Sequence, residues 1–518
     1  MASKAKLLSF VPCLVLALCL CVMAVPAQVS ADCPNLPTPF SSPGDTQFNN
    51  TIRSQMWIID GVWWGAFSDL SGDLGTGIYF YKVDVDRRRF VKGDFIDDNF
   101  IAGKPDTIWN GKELFILIFQ TGSLARLYKY KYVPDTETYI LHTGFPVDVA
   151  LSGGASDIAF AQDSTGKLWA VYTDMLNANV RAIWSTSSDH KKWNTTGKIL
   201  GAPLATDTEE AATVVHFGGN MIGVVWSNQL LGKIRSRFHR DKDPELNWDP
   251  SKTIDCCEGI PGVADNHLSL RALPDGRLFL IAKDDLGLEG RLHLYVRSAK
   301  GSWGEKILVD PDPTAAPTRP TLAIDLENEE AYVIYRNTTQ GGRIFFVRTG
   351  LKHPAFSEPC IFIDADVNSP TSTKQAVDGK TGLVAVASGD DQLVANTIDL
   401  ASSSKVVSQE PQTIKSAAVE EAAVENSEVD GRRVTYSKVP TDDASLNAEM
   451  EELRRSKVER IVIFGKRRVD YARYGFSETL QIPLERGERP TGEQEKKFRK
   501  FLRSRDAMRI HIHDARED

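Results

Sequence analysis

Short hydrophobic runs, each ending in a turn, recur along the chain from Met56 to about Leu400. Seven such runs open successive units, and their first residues are 50, 51, 55, 56, 53 and 52 residues apart. The runs begin at Met56, Asp106, Asp157, Ala212, Leu268, Thr321 and Thr373. Regular spacing of this length is typical of repeat architectures, and a unit of four short strands corresponds to one β-propeller blade. The pattern therefore predicts an all-β, seven-bladed β-propeller, or a six-bladed ring if one unit is misassigned.

The last unit shows fewer strands than the others. Unit 2 has a continuous apolar run at residues 113–119 and an alternating run at residues 124–132, which predict a buried and a half-exposed strand. The seventh unit has only three clear strands before Leu400. A ring left open would expose strand edges to pairing with other chains. We therefore expect residues 45–53 to supply the missing outer strand and close the ring.

The composition changes after Leu400. Residues 401–444 are rich in Ser, Ala, Glu and Val without alternation, which predicts a flexible acidic linker. Residues 445–518 carry helix-like patterns at 445–456 and 491–502 and strand-like patterns at 458–464, 480–484 and 508–513. From Glu451 to the end there are 18 Lys/Arg and 13 Asp/Glu, a local net charge of +5. We interpret this region as a small basic α+β module that is suited to a protein partner.

The first 31 residues have the pattern of a secretory signal peptide. Lys4 and Lys6 precede an almost wholly apolar stretch, and Val29-Ser30-Ala31 offers a small-residue cleavage site. An uncleaved membrane anchor is the alternative, although the apolar run is near the lower limit for a span. We therefore expect a secreted or extracytoplasmic protein with a propeller at residues 32–400 and no other membrane segment.

The number of cysteines outside the predicted signal peptide is consistent with export. Three of the seven lie within the predicted signal peptide, and Cys33, Cys256, Cys257 and Cys360 remain. Four cysteines in an exported chain indicate disulfides, but they allow three pairings that the sequence does not distinguish.

Composition narrows the possible functions. Hydrophobic residues make up 42% and charged residues 25% of the chain, which is ordinary for globular proteins. The net charge of −8 argues against nucleic-acid binding, because phosphate contacts require a basic surface. The chain has no Gly-x-Ser-x-Gly, P-loop or dinucleotide motif, so we expect no cofactor. It has no Cys-x-x-Cys, and His511-x-His513 gives only weak support for a metal, so we expect no metal site.

One polar residue per unit lies near the start of each opening strand. In a propeller the first strand of each blade lines the central tunnel, so these residues should converge at one mouth. Their carboxylates are candidates for the acid and base of glycoside cleavage, and the cationic residues are candidates for binding a substrate carboxylate or sulfate. The catalytic candidates are Asp106, Asp157 and Glu210, and the substrate-binding candidates are His267, Arg319 and Lys374. The alternative is a solvated rim whose charges pair with one another.

Tryptophans form a second set of candidates. Trp63 and Trp64 lie beside the first opening strand, and an indole ring can stack on the apolar face of a sugar. Packing between blades is the alternative role for these side chains.

Two local motifs resemble those of known propellers. Ser187-Ser188-Asp189-His190-Lys191-Lys192-Trp193 is similar to a shortened Asp-box turn of sialidase-like propellers, whereas their Phe-Arg-Ile-Pro motif is absent. Residues 260–390 resemble poorly characterised secreted bacterial propellers. The matching residues are Asp265-Asn266-His267-Leu268-Ser269-Leu270, Asp275-Gly276-Arg277, Lys283, Arg319-Pro320, Thr371 to Gln375, and Thr381 to Val384. The resemblance implies export and association with surface glycans, and it supplies no catalytic residue.

Three functional hypotheses follow from the sequence. The first is an exported propeller that binds a glycan or another surface partner at one face of the ring. The second is a glycoside hydrolase or lyase that uses the carboxylates at the tunnel mouth. The third is a scaffold that recruits a partner through its C-terminal module.

Overall fold

The computed structural model describes most of the propeller and five strands of the C-terminal region. The described ranges are 33–42, 46–47, 53–69, 76–98, 104–174, 176–202, 211–229, 232–256, 265–284, 290–312, 314–389, 392–401, 425–429, 432–438, 460–464, 478–482 and 509–514. The predicted signal peptide and both predicted C-terminal helices lie outside these ranges. No helix in the described ranges is long and apolar enough to span a membrane.

The first three blades follow one another directly along the chain. Two short strands, β1 (Phe40–Ser41) and β2 (Thr46–Gln47), precede them. Blade 1 contains β3 (Met56–Ile59), β4 (Val62–Asp69), β5 (Gly77–Asp84) and β6 (Arg89–Asp97). Blade 2 contains β7 (Lys104–Trp109), β8 (Glu113–Thr121), β9 (Leu124–Val133), β10 (Thr138–Leu141) and β11 (Val147–Ala150). Blade 3 contains β12 (Ala155–Gln162), β13 (Leu168–Asp174), β14 (Asn179–Ser185) and β15 (Trp193–Gly201).

Four further blades complete the ring. Blade 4 contains β16 (Ala212–Phe217), β17 (Met221–Asn228), β18 (Lys233–Arg240) and β19 (Lys252–Cys256). Blade 5 contains β20 (Leu268–Ala272), β21 (Leu278–Lys283), β22 (Leu292–Arg297) and β23 (Ile307–Leu308). Blade 6 contains β24 (Pro317–Asp325), β25 (Glu330–Asn337), β26 (Arg343–Gly350) and β27 (Cys360–Ile363). Blade 7 contains β28 (Asn368–Thr371), β29 (Leu383–Ser388) and β30 (Leu393–Ile398), and β1 is its fourth strand.

The seven-bladed prediction is therefore confirmed, and each blade is an antiparallel sheet of at least four strands. The opening strands lie where the spacing predicted them in six units. In blade 7 the inner strand begins at Asn368, five residues before the predicted start at Thr373. A β-bulge between Asn368 and Thr371 shifts the register there, and Thr373 makes only an isolated bridge to Met56.

The hydrophobic core lies between the blades rather than at the axis of the ring. Both faces of each sheet carry apolar side chains, and the buried clusters join residues of adjacent blades. The cluster between blades 1 and 2, for example, brings Trp57 and Phe80 together with Tyr139. The Phe80 and Tyr139 rings are stacked with centroids 4.3 Å apart. Blade-to-blade packing leaves the axis free for polar residues.

The N-terminal segment closes the ring, but not through the residues that we predicted. β1 pairs with β30 through Phe40 opposite Ala395 and Ser41 opposite Val394. Residues 46 and 47, inside the predicted segment 45–53, pair instead with β4 of blade 1. A disulfide between Cys33 and Cys360 links the residues before β1 to the outer strand of blade 6. This bond selects one of the pairings that the sequence left open.

The described C-terminal strands form a separate mixed sheet. Its strands are β31 (Glu425–Val429), β32 (Arg432–Lys438), β33 (Arg460–Phe464), β34 (Glu478–Ile482) and β35 (Arg509–Asp514), in the order β31-β32-β35-β33-β34. The last three agree closely with the predicted strands. β31 and β32 lie within residues 401–444, where we predicted a linker without strands.

Candidate functional site

Asp106 and Lys374 meet in the interior of the ring, not at an open mouth. Asp106 is 0% exposed, and its Oδ2 accepts a hydrogen bond of 2.6 Å from Lys374 Nζ. The backbone N–H groups of Ser54 and Thr107 donate to Oδ1, and that of Phe160 donates to Oδ2. Asp106 is thus enclosed and hydrogen-bonded at both oxygens, which favours the alternative of charges that pair with one another, and its catalytic role stays a prediction.

The other two carboxylates and both tryptophans are placed differently. Asp157 lies at a β-bulge of β12, but its side chain is outside the described part of the structure, as is all of Glu210. Trp63 and Trp64 are 1% and 4% exposed. Trp63 donates Nε1 to the Thr381 carbonyl at 2.8 Å, and Trp64 packs at a right angle on a tyrosine ring. Their burial and their contacts between blades favour the packing role, and stacking on a sugar stays a prediction.

A compact charged site does form where blade 5 begins. His267 Nδ1 is 2.8 Å from Asp265 Oδ1, and Lys283 Nζ donates to Asp265 Oδ2 at 2.7 Å. The backbone holds the three together, because Lys283 N–H donates to the His267 carbonyl and Asp265 N–H donates to the Lys283 carbonyl. These bonds extend the β20–β21 ladder beyond Leu268. The Asp265 and His267 side chains keep only 13% and 14% exposure.

Arg319 adds an unpaired cation from blade 6. It lies in a β-bulge of β24, between Thr318 and Thr321, and has a φ of 52°. That conformation is strained for a residue with a side chain, and bulges re-aim side chains beside functional sites. Its half-buried guanidinium makes no hydrogen bond or ion pair with any described residue, and its Nε is fully enclosed. We call Asp265, Asn266, His267, Lys283 and Arg319 the blade 5–6 site.

An electrostatic interaction links Arg319 of blade 6 to Asp265 at the start of blade 5. Burial lowers the pKa of the Arg319 guanidinium, and the positive charge of Arg336 lowers it further. The charge of Asp265 opposes both effects, which places the carboxylate within electrostatic reach of Arg319. Burial would raise the pKa of Asp265 itself. The hydrogen bonds and charges of His267 and Lys283 outweigh burial and hold that pKa far below its usual range.

Two further polar atoms of the site have no partner among the described residues. They are His267 Nε2 and Asn266 Oδ1, and both are buried. Buried polar atoms are normally hydrogen-bonded, so unpaired ones require an explanation such as a ligand or ion. With Nδ1–H donating to Asp265, the other ring nitrogen, Nε2, is an acceptor in the neutral ring and a donor in the charged ring. The site therefore presents a buried polar atom of His267 and the cation of Arg319.

The sequence identified part of this site. His267 and Arg319 were candidates, and the resemblance to secreted propellers included Asp265 and Lys283 without giving them a role. Arg336 was missed because it lies in β25, a second strand, whereas the search followed opening strands only. It is held by Asp366 at 3.0 Å and by the Val367 carbonyl.

Comparisons with known proteins add no argument about function to the architecture described above. No family model and no curated protein matches the chain. Solved structures similar to it include a lectin from Burkholderia pseudomallei (11% identity, covering 70% of this chain and 97% of that chain, TM-score 0.47). They also include a polysaccharide lyase described as an ulvan lyase (9% identity, 70% and 96%, TM-score 0.48). A third is the six-bladed Aleuria aurantia lectin (13% identity, 62% and 97%, TM-score 0.37). At these identities and TM-scores the likeness carries no argument about activity. This chain is a seven-bladed β-propeller whose structural neighbours include lectins and a polysaccharide lyase.

Proposed function

We propose that this protein is an exported propeller that binds an acidic glycan at the blade 5–6 site. The observation that carries the proposal is the Arg319 guanidinium, which is half-buried, unpaired among the described residues and held on a strained bulge. Strain and an uncompensated charge both oppose folding, so their presence together points to a use in binding. A planar guanidinium matches the geometry of a carboxylate or a sulfate.

The neighbouring groups favour a sugar as the carrier of that anion. Lys283 donates hydrogen bonds, Asn266 Oδ1 accepts them, His267 Nε2 does either according to its protonation, and sugar hydroxyls both donate and accept. Export is consistent with the Cys33–Cys360 disulfide, because such bonds persist in oxidising compartments. The sialidase-like type of the propeller stays a prediction, since the Asp-box-like turn is distant from this site in sequence.

The test compares matched glycans and matched arginine variants. Calorimetric titration with uronate-containing, sulfated and neutral oligosaccharides should show binding of the acidic ones only. Arg319→Ala should weaken that binding about 10- to 100-fold, the usual effect of losing a charged hydrogen bond. Arg343→Ala is the control, because Arg343 lies in the same blade and pairs with Asp364 at 2.7 Å. Equal binding of neutral glycans, or full binding by Arg319→Ala, would refute the proposal.

A second candidate function, elimination at a uronate residue, is favoured by the hydrogen bond between His267 and Asp265. A base that removes the proton beside a carboxylate needs a fixed tautomer, and a cation must stabilise the charge that develops on the carboxylate. His267 Nε2 and Arg319 are suited to these two roles. Loss of that proton from C5, with cleavage of the bond between C4 and the glycosidic oxygen and protonation of that oxygen by solvent, would create a C4–C5 double bond that absorbs ultraviolet light. His267→Gln should abolish the absorbance increase while binding persists, and a wild-type protein that binds without any increase would restrict the function to binding. For glycoside hydrolysis the candidate carboxylates besides the buried Asp106 are Asp157 and Glu210.

A further inference from the structure

A second cation, Arg336, lies beside Arg319 at the blade 5–6 site. Arg319 occupies the β-bulge of β24 between Thr318 and Thr321, and Thr318 is directly opposite Arg336 of β25. The two arginines are therefore neighbours across this pair of strands. The positive charge of Arg336 lowers the pKa of the Arg319 guanidinium, as expected for like charges at short range. A ligand bound at Arg319 thus lies within reach of a second guanidinium.

Arg336 already binds an anionic group that belongs to the chain itself. Its Nη2 donates a hydrogen bond of 3.0 Å to Asp366 Oδ1, and its Nε donates at 3.0 Å to the Val367 carbonyl. Gly342 makes room for this ion pair, since a Cβ at that position would overlap Asp366 Oδ1 and lie 2.6 Å from Arg336 Nη2. The Asp366 carboxylate therefore marks the position that an anionic oxygen takes when it binds Arg336.

Asp366 lies at the same face of the ring as Arg319. Propeller blades repeat one four-stranded unit, so their first strands begin at a common face. Arg319 is the third residue of β24, and Asp366 comes two residues before β28. Both strands contain a bulge in which one residue has a φ of 52°, Arg319 in β24 and Ser369 in β28. The ion pair and the blade 5–6 site are thus open to one and the same ligand.

The Arg336–Asp366 pair can open without unfolding the site. The Asp366 side chain is 76% exposed, whereas that of Arg336 is 21% exposed. An exposed ion pair contributes little to stability, because water competes for both groups. An anionic group of a ligand can therefore replace the Asp366 carboxylate while the Val367 carbonyl still holds Arg336 in place.

We propose that the blade 5–6 site binds a glycan with two anionic groups, one on Arg319 and the other on Arg336 in place of Asp366. This inference rests on the proposed function and makes its ligand more specific. Arg319 supplies affinity for any acidic glycan. Arg336 selects glycans with a second charge, such as those that bear both a uronate carboxylate and a sulfate. Asp366 is an internal competitor that the second anionic group must displace.

The test uses uronate-containing oligosaccharides sulfated at different positions, each compared by calorimetric titration with its desulfated product. At least one sulfated member should bind wild type about 10-fold more tightly than its desulfated product. This is the low end for a charged hydrogen bond, because the Asp366 pair must open first. Arg336→Met should remove the preference and keep the affinity for the desulfated sugar. Arg343→Met should keep the preference, because Arg343 lies in the adjacent strand β26 and pairs with Asp364.

A second measurement does not depend on the Arg336 variant. Asp366→Ala removes the competitor and should raise the affinity for the preferred sulfated sugar about 2- to 5-fold, the strength of an exposed ion pair. Asp364→Ala is the matched control. It removes the same charge from the same connection between β27 and β28, but Asp364 pairs with Arg343, so the affinity should stay unchanged.

The outcomes separate this inference from the function on which it rests. A wild-type protein that binds no acidic glycan would overturn both. If acidic glycans bind through Arg319 but no sulfated member is preferred, or if the preference survives Arg336→Met, only the inference of two anionic groups fails. Equal effects of Asp366→Ala and Asp364→Ala would refute the displacement of Asp366.

Discussion

Removing the Cys33–Cys360 disulfide should destabilise the closed ring, because this bond ties the residues before the two-residue closing strand β1 to blade 6. β1 contributes only two paired residues to blade 7, Phe40 and Ser41. Ser42 adds two hydrogen bonds with Leu393, and the Phe40 ring packs on that of Phe90 with centroids 5.6 Å apart. We therefore expect that the double variant Cys33→Ser/Cys360→Ser folds but opens its last blade more readily.

The magnitude follows from the length of chain that the disulfide closes. The two cysteines are 327 residues apart, for which the chain-entropy relation gives about 6 kcal/mol at 25 °C. Measured losses are usually smaller, so we take about 4 kcal/mol. The propeller runs from residue 33 to residue 401, and at about 2 cal/mol/K per residue its unfolding entropy is roughly 0.8 kcal/mol/K. The expected fall in Tm is therefore about 5 °C.

Calorimetry of the wild-type and double-variant proteins measures this fall, with and without reductant. Reductant should lower the wild-type Tm to that of the variant and leave the variant unchanged, which controls for Cys256 and Cys257. Hydrogen exchange at the Ser42 and Leu393 amides should become faster in the variant, because β1 opens locally. A Tm within 1 °C of wild type, or unchanged exchange at both amides, would refute this account of ring closure.

Three further predictions concern the charged residues. Arg319→Gly should be more stable than Arg319→Ala by about 1 kcal/mol, because glycine accepts a φ of 52° without strain. Neither variant should bind acidic glycans. Equal free energies of unfolding for the two variants in denaturant titrations would contradict the backbone strain at this position. Asp106→Asn should lose about 3–5 kcal/mol by leaving the Lys374 ammonium without its ion-pair partner, and adding Lys374→Met should restore part of the loss, as measured by urea unfolding. An Asp106→Asn variant as stable as wild type would contradict the ion pair. Folding lowers the pKa of Asp265 below its ordinary 3.8, so its contribution is present at neutral pH and is lost as the pH falls below that value. Wild type should therefore exceed Asp265→Asn in stability at pH 7 by a margin that shrinks in acid, and a margin independent of pH would refute this.

The spacing of the opening strands was sufficient to predict the blades. Period-two alternation and turns are local features, so the run at 113–119 and its neighbours identified strands before any tertiary contact was known. Closure from the N-terminal side was also predictable in principle, since an open edge is unfavourable. The two-residue β1 is too short to produce a strand-like alternation, so the closing strand was predicted in the longer segment 45–53 instead.

The candidate site was predictable only where the chain stays regular. His267 and Arg319 were found because each lies beside an opening strand. Lys374 was aligned with them, but the bulge of β28 shifts blade 7, and Lys374 forms an ion pair with the buried Asp106 instead. The sequence around Trp63 was compatible with either an exposed or a packed side chain. Its burial results from packing against the neighbouring blade.

The sequence by itself determined the repeat, the strand order and the presence of one polar residue near the start of most blades. The tertiary structure alone decided which of those residues meet, which are buried and which remain unpaired. The physical reason is that alternation and spacing depend on neighbours along the chain. Ion pairs such as Lys374 with Asp106, 268 residues apart, depend on how seven blades close around one axis. Bulges of a single residue then re-aim side chains such as Arg319 in ways that no periodic pattern records.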